Sequence, residues 1–335
     1  MLKIAHLKID PPVILAPMAG ITDLAFRLTC RKFGAPFTFV EMINCRSLSY
    51  KSRKTKEMLR GAPSDCPLGA QLLGSELQYI LKGLEIMQSF PVDLIDFNAA
   101  CPVKKVTCRG EGAALMKTPK KLNKILKAMV EHSRLPVTVK IRTGWDKDSV
   151  NAREVAVACE DAGISALFIH GRHKEQKYSG EIDYKTIAKV KKAVRIPVVG
   201  SGNIWNVSQV KKMLEETGCD GIAVARGALG NPWIFREIIE FFGKGGIFKR
   251  PTLEEVVQIF LEHLDRTIEL YNERKAVLIF RKYLGWYFKG VRNVRLIRQK
   301  ADQVKTKQDI INVLIAAQII DPTLEVVATG LSAKG

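Results

Sequence analysis

From the N-terminus to about residue 240, short apolar runs rich in β-branched residues alternate with longer amphipathic stretches. This is the pattern of repeated βα units, in which a buried strand is followed by a helix that covers it. Eight strand candidates can be placed: VILA at 13–16, FTFV at 37–40, LGAQLL at 68–73, LIDF at 94–97, VTVKI at 137–141, ALFI at 166–169, IPVVG at 196–200 and GIAVA at 221–225. Thr22 with Asp23, and Ser75 with Glu76, mark helix starts. Pro91, Pro136 and Pro197 stand just ahead of strands, where a missing N–H costs no ladder bond. Eight parallel units with continuously apolar strands predict a closed (β/α)8 TIM barrel, because closure removes both sheet edges; an open flavodoxin-like sheet would need fewer strands.

After FFGKGG at 241–246 and the PTLEE start at Pro251 the strand pattern stops and the rest reads helical. The expected architecture is α/β: a barrel domain over 1–243, then a smaller C-terminal helical bundle domain over 251–335, with a linker near 244–251. A length of 335 residues suits that pair, and 47% hydrophobic with 26% charged residues is ordinary globular composition. No apolar run approaches the roughly 18 residues of a membrane span, so a soluble protein without a membrane partner is expected. The opening MLKIAHLKIDPP lacks the apolar core and cleavage site of a secretory signal, which predicts a cytoplasmic protein. Seven cysteines, none in a CxxC pair, predict reduced thiols, no metal and no disulfide framework. A monomer is the expected state.

Charge changes the picture more. The chain carries 53 Lys+Arg against 34 Asp+Glu, a formal +19, enough to steer polyanions by field alone. Nucleic acid is the first partner to consider and an anionic membrane surface the second. From Arg274 to Lys307 there are eleven Lys/Arg and one acid, Asp302, interleaved with Phe280, Tyr283, Trp286, Tyr287 and Phe288. Lys275, Lys282 and Lys289 fall at seven-residue spacing on one helix face, while Val277, Phe280, Leu284, Phe288 and Val291 mark an apolar face. A solvated face is the usual fate of a charge run, yet a second basic stretch, Arg46 to Arg60 with six Lys/Arg against Glu57, weakens simple solubility as the explanation. The RNA-contact candidates are Arg172 in the barrel and Lys275, Arg281, Lys282, Lys289, Arg292 and Arg295 in the basic tract.

A barrel carries its active site at the C-terminal ends of its strands, so the residues leaving each strand are the candidates. The first strand exits into APMAG, the second into Glu41, the third carries Gln71, and the fourth ends at Asn98 followed by Cys101-Pro102. The fifth carries Lys140 and Arg142, and the sixth ends at His170 with Arg172 beyond. The last two run into GSGNI (200–204) and ARGALGN (225–231), glycine turns ahead of helices, where barrels commonly bind phosphate through backbone N–H groups; Arg226 would assist. Either turn alone reads as a tight loop, but two after consecutive final strands favour an anion site. An inward Lys140 needs a ligand or a counter-charge: the edge of a flavin, an ion pair with Glu41 or another carboxylate, or a Schiff-base partner. His170 is a satisfied structural histidine or a cofactor contact. Cys30, Cys159 and Cys219 read as inert core thiols, whereas Cys101, at a polar strand end, suits a nucleophile or a general acid.

APMAGITDLAFR, AQLLGS, DFNAACPVKKV, GEGAALM, VKIRTGW, IHGRHKEQKYSG and ARGALGNPWIFREI resemble, in order, the tRNA-dihydrouridine synthases, above all the bacterial B-type subgroup. The similarity runs from about residue 11 to 240 and continues weakly into RKYLGWYFKG. It implies bound FMN reduced by NADPH, hydride passing to C6 of a tRNA uracil, and a cysteine, Cys101, protonating C5 from the opposite face. By the same resemblance Pro17, Met18, Ala19 and Gln71 line the flavin ring, with Lys140 and His170 at its polar edge. Ser201, Gly202, Asn203, Ala225 and Arg226 would hold its ribityl phosphate end, and Asn98 and Arg142 would orient the uracil or the flavin. The chemistry suits the residues: hydride at C6 leaves enolate character that a positioned acid must quench at C5. A basic bundle could then hold the tRNA backbone while a uridine is extruded into the site.

Two departures from the family pattern stand out. The usual N-x-G-C-P reads Asn98-Ala99-Ala100-Cys101-Pro102, and an Asn-Gly-Asp turn reads Ser201-Gly202-Asn203. Ala100 would be strained if its backbone needed φ > 0. Competing readings are a flavin barrel reductase of a free pyrimidine, similar to dihydroorotate dehydrogenase, and a non-catalytic RNA-binding protein; the first leaves the basic tract unexplained, and the second rests on charge alone.

Overall fold

A computed structural model describes residues 1–50, 53–243 and 248–321. The chain opens with an antiparallel hairpin, β1 (Leu2–Ile4) and β2 (Leu7–Ile9), paired Leu2 to Ile9. Eight parallel strands follow: β3 (Val13–Leu15), β4 (Thr38–Asn44), β5 (Leu68–Leu73), β6 (Leu94–Asn98), β7 (Val137–Arg142), β8 (Ala166–His170), β9 (Val198–Ser201) and β10 (Gly221–Val224). They pair in chain order, and β10 returns to β3 to close a barrel with helices in the connections. This is the predicted (β/α)8 fold, with each predicted strand present to within a few residues.

The hairpin was not legible in the sequence, and it has a defined job. Leu2, Ile4, Leu7 and Ile9 are buried in one cluster with Phe37, Leu94, Ala166 and Phe168. Phe37, Leu94 and Ala166 stand at strand beginnings, so the hairpin seals the end of the barrel opposite the strand exits with apolar area. That leaves the exits as the polar end.

Local chemistry explains most connections. Asp23 accepts from Phe26 N at 2.9 Å and caps the helix Leu24–Lys32. The predicted cap at Ser75 is different: Glu76 is the N-cap of Leu77–Met87 without a side-chain bond, and the Ser75 hydroxyl donates to the Arg109 carbonyl at 3.0 Å, tying two mouth loops together.

The chain divides into two compact units, one of Met1–Ala228 with Pro232–Phe248, the other of Leu229–Asn231 with the chain from Lys249 onward. The second holds the helices Leu253–Leu270, Glu273–Tyr287, Val294–Ala301 and Lys307–Ala316. A capping box between Thr252 and Glu255 starts it. Its core is aromatic, with Phe260 5.3 Å from Phe280 and 5.1 Å from Phe288 between ring centroids, and His263 enclosed beside them. Half of the expected linker, 244–247, the C-terminal 322–335 and Lys51 of the second basic stretch lie outside the described residues. Among the described residues no helix is long and apolar enough to cross a membrane.

Candidate active site

Barrel register gathers the predicted polar residues in layers. Gln71 pairs with Asp96, Asn98 with Lys140, and Arg142 with His170, which pairs in turn with Ser201. Residues two apart on one strand share a face, so these positions point into the same barrel mouth.

Asn98, 6% exposed, organises the turn that bears the thiol. Its Oδ1 accepts from Ala100 N at 3.0 Å and Cys101 N at 2.8 Å, while Nδ2 donates to Gln71 Oε1 at 2.7 Å. Gln71 Nε2 donates to Asp96 Oδ2 at 2.7 Å, and Thr138 Oγ1 donates to Asp96 Oδ1 at 2.7 Å. The chain of bonds from Thr138 to the Cys101 backbone is thus unbroken. Ala100 is not among the residues with positive φ, so the departure from glycine carries no backbone strain. Cys101 is half-buried, and burial pushes its thiol up, against a favourable Arg142 charge. Such a thiol stays protonated at neutral pH and can act as an acid.

Lys140 does not meet Glu41. It donates to Ser201 Oγ at 3.0 Å, and its nearest carboxylate influence is Asp96. The Glu41 carboxylate instead accepts from Gly20 N in the first mouth loop. Burial lowers the Lys140 ammonium and raises the Asp96 carboxyl, each opposed by the other's charge. His170 is driven well below the ordinary imidazole value, by burial first and then by Arg142, Lys140, Arg172 and Arg226. It is therefore neutral, an imidazole within a cationic set.

Arg142 is 1% exposed and locks two loops: Nε donates to Ala100 O at 2.7 Å, and Nη1 to His173 O at 3.1 Å and Lys177 O at 2.9 Å. Arg172, assigned from sequence to RNA contact, is also 1% exposed; it donates to Asn203 Oδ1 at 2.9 Å and to the Gly180 carbonyl, beneath the mouth rather than on the surface. That bond holds Asn203 in a left-handed conformation (φ 51°), which asparagine tolerates.

The two glycine turns form a cradle. At Gly202, φ is 130°, and a Cβ would lie 3.2 Å from the His170 ring; at Gly227 a Cβ would lie 1.8 Å from the Ile204 carbonyl oxygen. The second turn is thus packed directly on the first, an approach only glycine permits. Arg226 lies across the Tyr178 ring at 5.6 Å and the Trp205 ring at 5.2 Å. Among the described residues none of Lys140, Arg142, Arg172 and Arg226 forms a salt bridge to a carboxylate, which leaves the mouth rich in donors and short of anions. A phosphate-bearing, electron-rich planar group fits that donor set, as the flavin expected from the sequence would. Pro17 and Met18 are half-buried and Ala19 is exposed in the loop after β3, and Ala225 is half-buried at the β10 exit. No cluster of three His, Cys, Asp or Glu side chains suited to a metal occurs among the described residues.

Two mouth residues escaped the sequence reading. Asp96 sits within the apolar run LIDF and gave no sign that it faces inward. Tyr178, half exposed beside Arg142 and Arg226, lies in the KYSG stretch of a long loop where periodicity is silent. Cys30, Cys159 and Cys219 are buried as expected.

In the helical unit the basic tract divides. Lys275, Lys282, Lys289, Arg292 and Arg295 are exposed, but Arg281 donates to Val304 O at 2.9 Å and serves the fold. Phe280, Tyr283, Tyr287 and Phe288 are core residues, not free stacking platforms; Trp286 is half-buried. Lys289 lies just past the end of the helix Glu273–Tyr287, so the shared face holds only for Lys275 and Lys282.

Residues 14–321 match the family model described as Dihydrouridine synthase (Dus). The tRNA-dihydrouridine synthase B of Xanthomonas axonopodis pv. citri is 39% identical over 288 residues, 86% of this chain and 87% of that protein. The protein of the same name from Pseudomonas aeruginosa is 39% identical over 293 residues, 88% of each. A probable tRNA-dihydrouridine synthase of Rickettsia conorii is 38% identical over 297 residues, 88% of this chain and 89% of that one. Among solved structures, the old yellow enzyme homologue from Zymomonas mobilis superposes with a TM-score of 0.53 at 12% identity, covering 76% of this chain and 94% of that one, which is a likeness of fold.

Proposed function

The chain belongs to the dihydrouridine synthase family, and from that premise we propose that it reduces the C5–C6 bond of uridines in tRNA, using FMN reduced by NADPH, with Cys101 as the proton donor. The observation that carries this reading is the convergence on one barrel mouth of a protonated thiol, a cationic donor set and a double glycine cradle.

The residues fit the flavin in three groups. Ser201, Gly202, Asn203, Ala225 and Arg226 would hold its phosphate end, Lys140 and His170 its polar edge, and Pro17, Met18, Ala19 and Gln71 its ring. Reduced flavin, when bound, supplies the hydride that adds at uracil C6. The remaining chemistry falls to the chain. Asn98 fixes the Cys101 turn, so the S–H group is aimed by a rigid network rather than a mobile loop. The proton passes from sulfur to C5, and the charge on the uracil C4 oxygen collapses as the C5–H bond forms. Arg142, held by three carbonyls, keeps a fixed positive charge beside that developing anion. A neutral His170 can donate one hydrogen bond without adding a further charge.

We assign 1–243 to catalysis and 251–335 to tRNA, held through the exposed Lys275, Lys282, Lys289, Arg292 and Arg295. Mass-spectrometric mapping of dihydrouridine in tRNA from cells lacking the protein, with restoration by the purified enzyme, tests substrate and position together. Unchanged dihydrouridine at every position refutes the reading, and turnover of free uracil or orotate in place of tRNA replaces it.

A further inference from the structure

Gly112, with φ 59°, packs against the thiol-bearing turn so closely that a Cβ there would meet Cys101 O at 2.8 Å and Cys101 Cβ at 3.0 Å. Ala113 N donates to Cys101 O at 3.1 Å and fixes the two segments together. The residue before this contact is Glu111, only 8% exposed, whose two carboxyl oxygens each lie 3.4 Å from Asn44 Nδ2. Asn44 is itself immobilised, because its Oδ1 accepts from Ser47 N at 3.2 Å. A carboxyl group is therefore built into the wall beside Cys101 and does not touch the cationic cluster. The proposed reaction gives it no task.

We propose that Glu111 adds to burial in keeping the Cys101 thiol protonated and so raises the upper pH limit of the reaction; this rests on the acid role assigned to Cys101 above.

The argument is one of opposed charges. Burial is the largest influence holding the thiol protonated, while the Val103 backbone N–H and the Arg142 charge favour the thiolate. Glu111 acts in the other direction on the same sulfur. The other groups facing these two are few. Tyr178 lies on the Cys101 side, while Arg109, Glu76 and the buried Cys45 thiol lie around Glu111. Burial raises the Glu111 carboxyl, while Asn44 and Arg109 favour its ionised form. Each turnover breaks the Cys101 S–H bond to form C5–H and leaves a thiolate, which must regain a proton from solvent before the next uridine. A fixed negative neighbour destabilises that thiolate and drives the return. Glu111 is thus a positioning residue for charge, acting through Cys101.

The test titrates Cys101 directly, by iodoacetamide alkylation of the flavin-loaded enzyme from pH 6 to 10 with the modified peptide followed by mass spectrometry. Glu111→Gln should lower the ionisation midpoint and raise alkylation at pH 7.5 about threefold. The alkaline fall of single-turnover reduction should move to lower pH by the same amount. Glu111→Asp, which retains the charge, should restore the parental titration, which a role in packing alone would not predict. Should E111Q not accumulate as folded protein, E111A offers the same comparison. An unmoved midpoint, or E111D behaving as E111Q, overturns the proposal. Reduction that persists in Cys101→Ala overturns the acid role instead, and the titration distinguishes the two failures.

Discussion

Truncating Asn98 to alanine should separate the organisation of the thiol turn from the presence of the thiol. The side chain makes three short bonds, to Ala100 N at 3.0 Å, Cys101 N at 2.8 Å and Gln71 Oε1 at 2.7 Å, and donates more weakly to Met42 Sδ at 3.2 Å. Ala100 is 5% and Gln71 1% exposed, so water reaches the orphaned groups poorly. A buried polar group left unpaired costs ~1–3 kcal/mol, and with partial rescue by a water in the vacated space the three together come to about 3–5 kcal/mol. For a unit of this size that corresponds to a fall of roughly 6–20 °C in Tm. The Cys101 turn loses its tether at the same time, and displacement of a reacting group by about 1 Å can cost ~100-fold in rate. Asn98→Asp keeps an acceptor for both N–H groups but sets an oxygen against Gln71 Oε1, so it should melt lower than the parent yet recover most of the lost rate. Thermal melts followed by flavin absorbance and by circular dichroism, with single-turnover reduction of tRNA, supply both readouts. If N98A melts within about 1 °C of the parent and reduces tRNA at the parental rate, the network does not position Cys101 and the reasoning fails.

Cys101→Ala should retain flavin and tRNA binding but lose reduction in single-turnover assays, and retained reduction would discard the thiol as acid. Charge reversal at Lys282 and Lys289 should weaken tRNA binding and flatten its salt dependence, with log Kd against log salt shallower by about two in slope, while reduction of the flavin by NADPH is unchanged; equal affinity at moderate salt would refute the assignment. His263, buried among aromatic rings with its Nδ1 3.2 Å from the Tyr287 hydroxyl, has its pKa lowered to about 3 by burial. Its folded value lies below the unfolded one of roughly 6.5, so the unfolded chain binds the extra proton, and stability present above that pH falls as acid is added, by about 2 kcal/mol at pH 5. Hydrogen exchange of Leu253–Leu270 and Glu273–Tyr287 should show this loss, and His263→Phe should blunt it.

The barrel was legible because its signal is repeated eight times, and the errors in it have local causes. The hairpin LKI–LKI was missed because two three-residue strands carry too few positions for a period to register, and their apolar residues could equally have belonged to a loop. Strand ends were legible as a polar list, and the structure turned the list into layers only through register, which no spacing in sequence reports. Asn98 and Gln71 are 27 residues apart and share a hydrogen bond. Lys140 and Ser201 are 61 apart and do the same. The choice of Asp96 over Glu41 as the carboxylate nearest Lys140 could not have been made from residue types alone, since both stand on adjacent or near strands of the same barrel.

The basic tract shows the converse limit. Eleven cations in a row of residues describe a field, but whether each one meets solvent depends on its own helix face and neighbours. Arg281 looks like its neighbours in sequence, yet a carbonyl at 2.9 Å commits it to the fold, and Arg172 is committed to Asn203 in the same way. The aromatic residues between the cations invite a stacking role, and the helical unit uses four of them as core because a bundle this small has few other large side chains to bury. Residue type therefore predicted which side chains meet at the mouth better than which side chains the surface exposes. At the mouth the closed barrel forces every inward side chain into one small space, where polar residues must answer one another. On a helix surface no such closure applies, and the same sequence is compatible with a contact, a cap or open water.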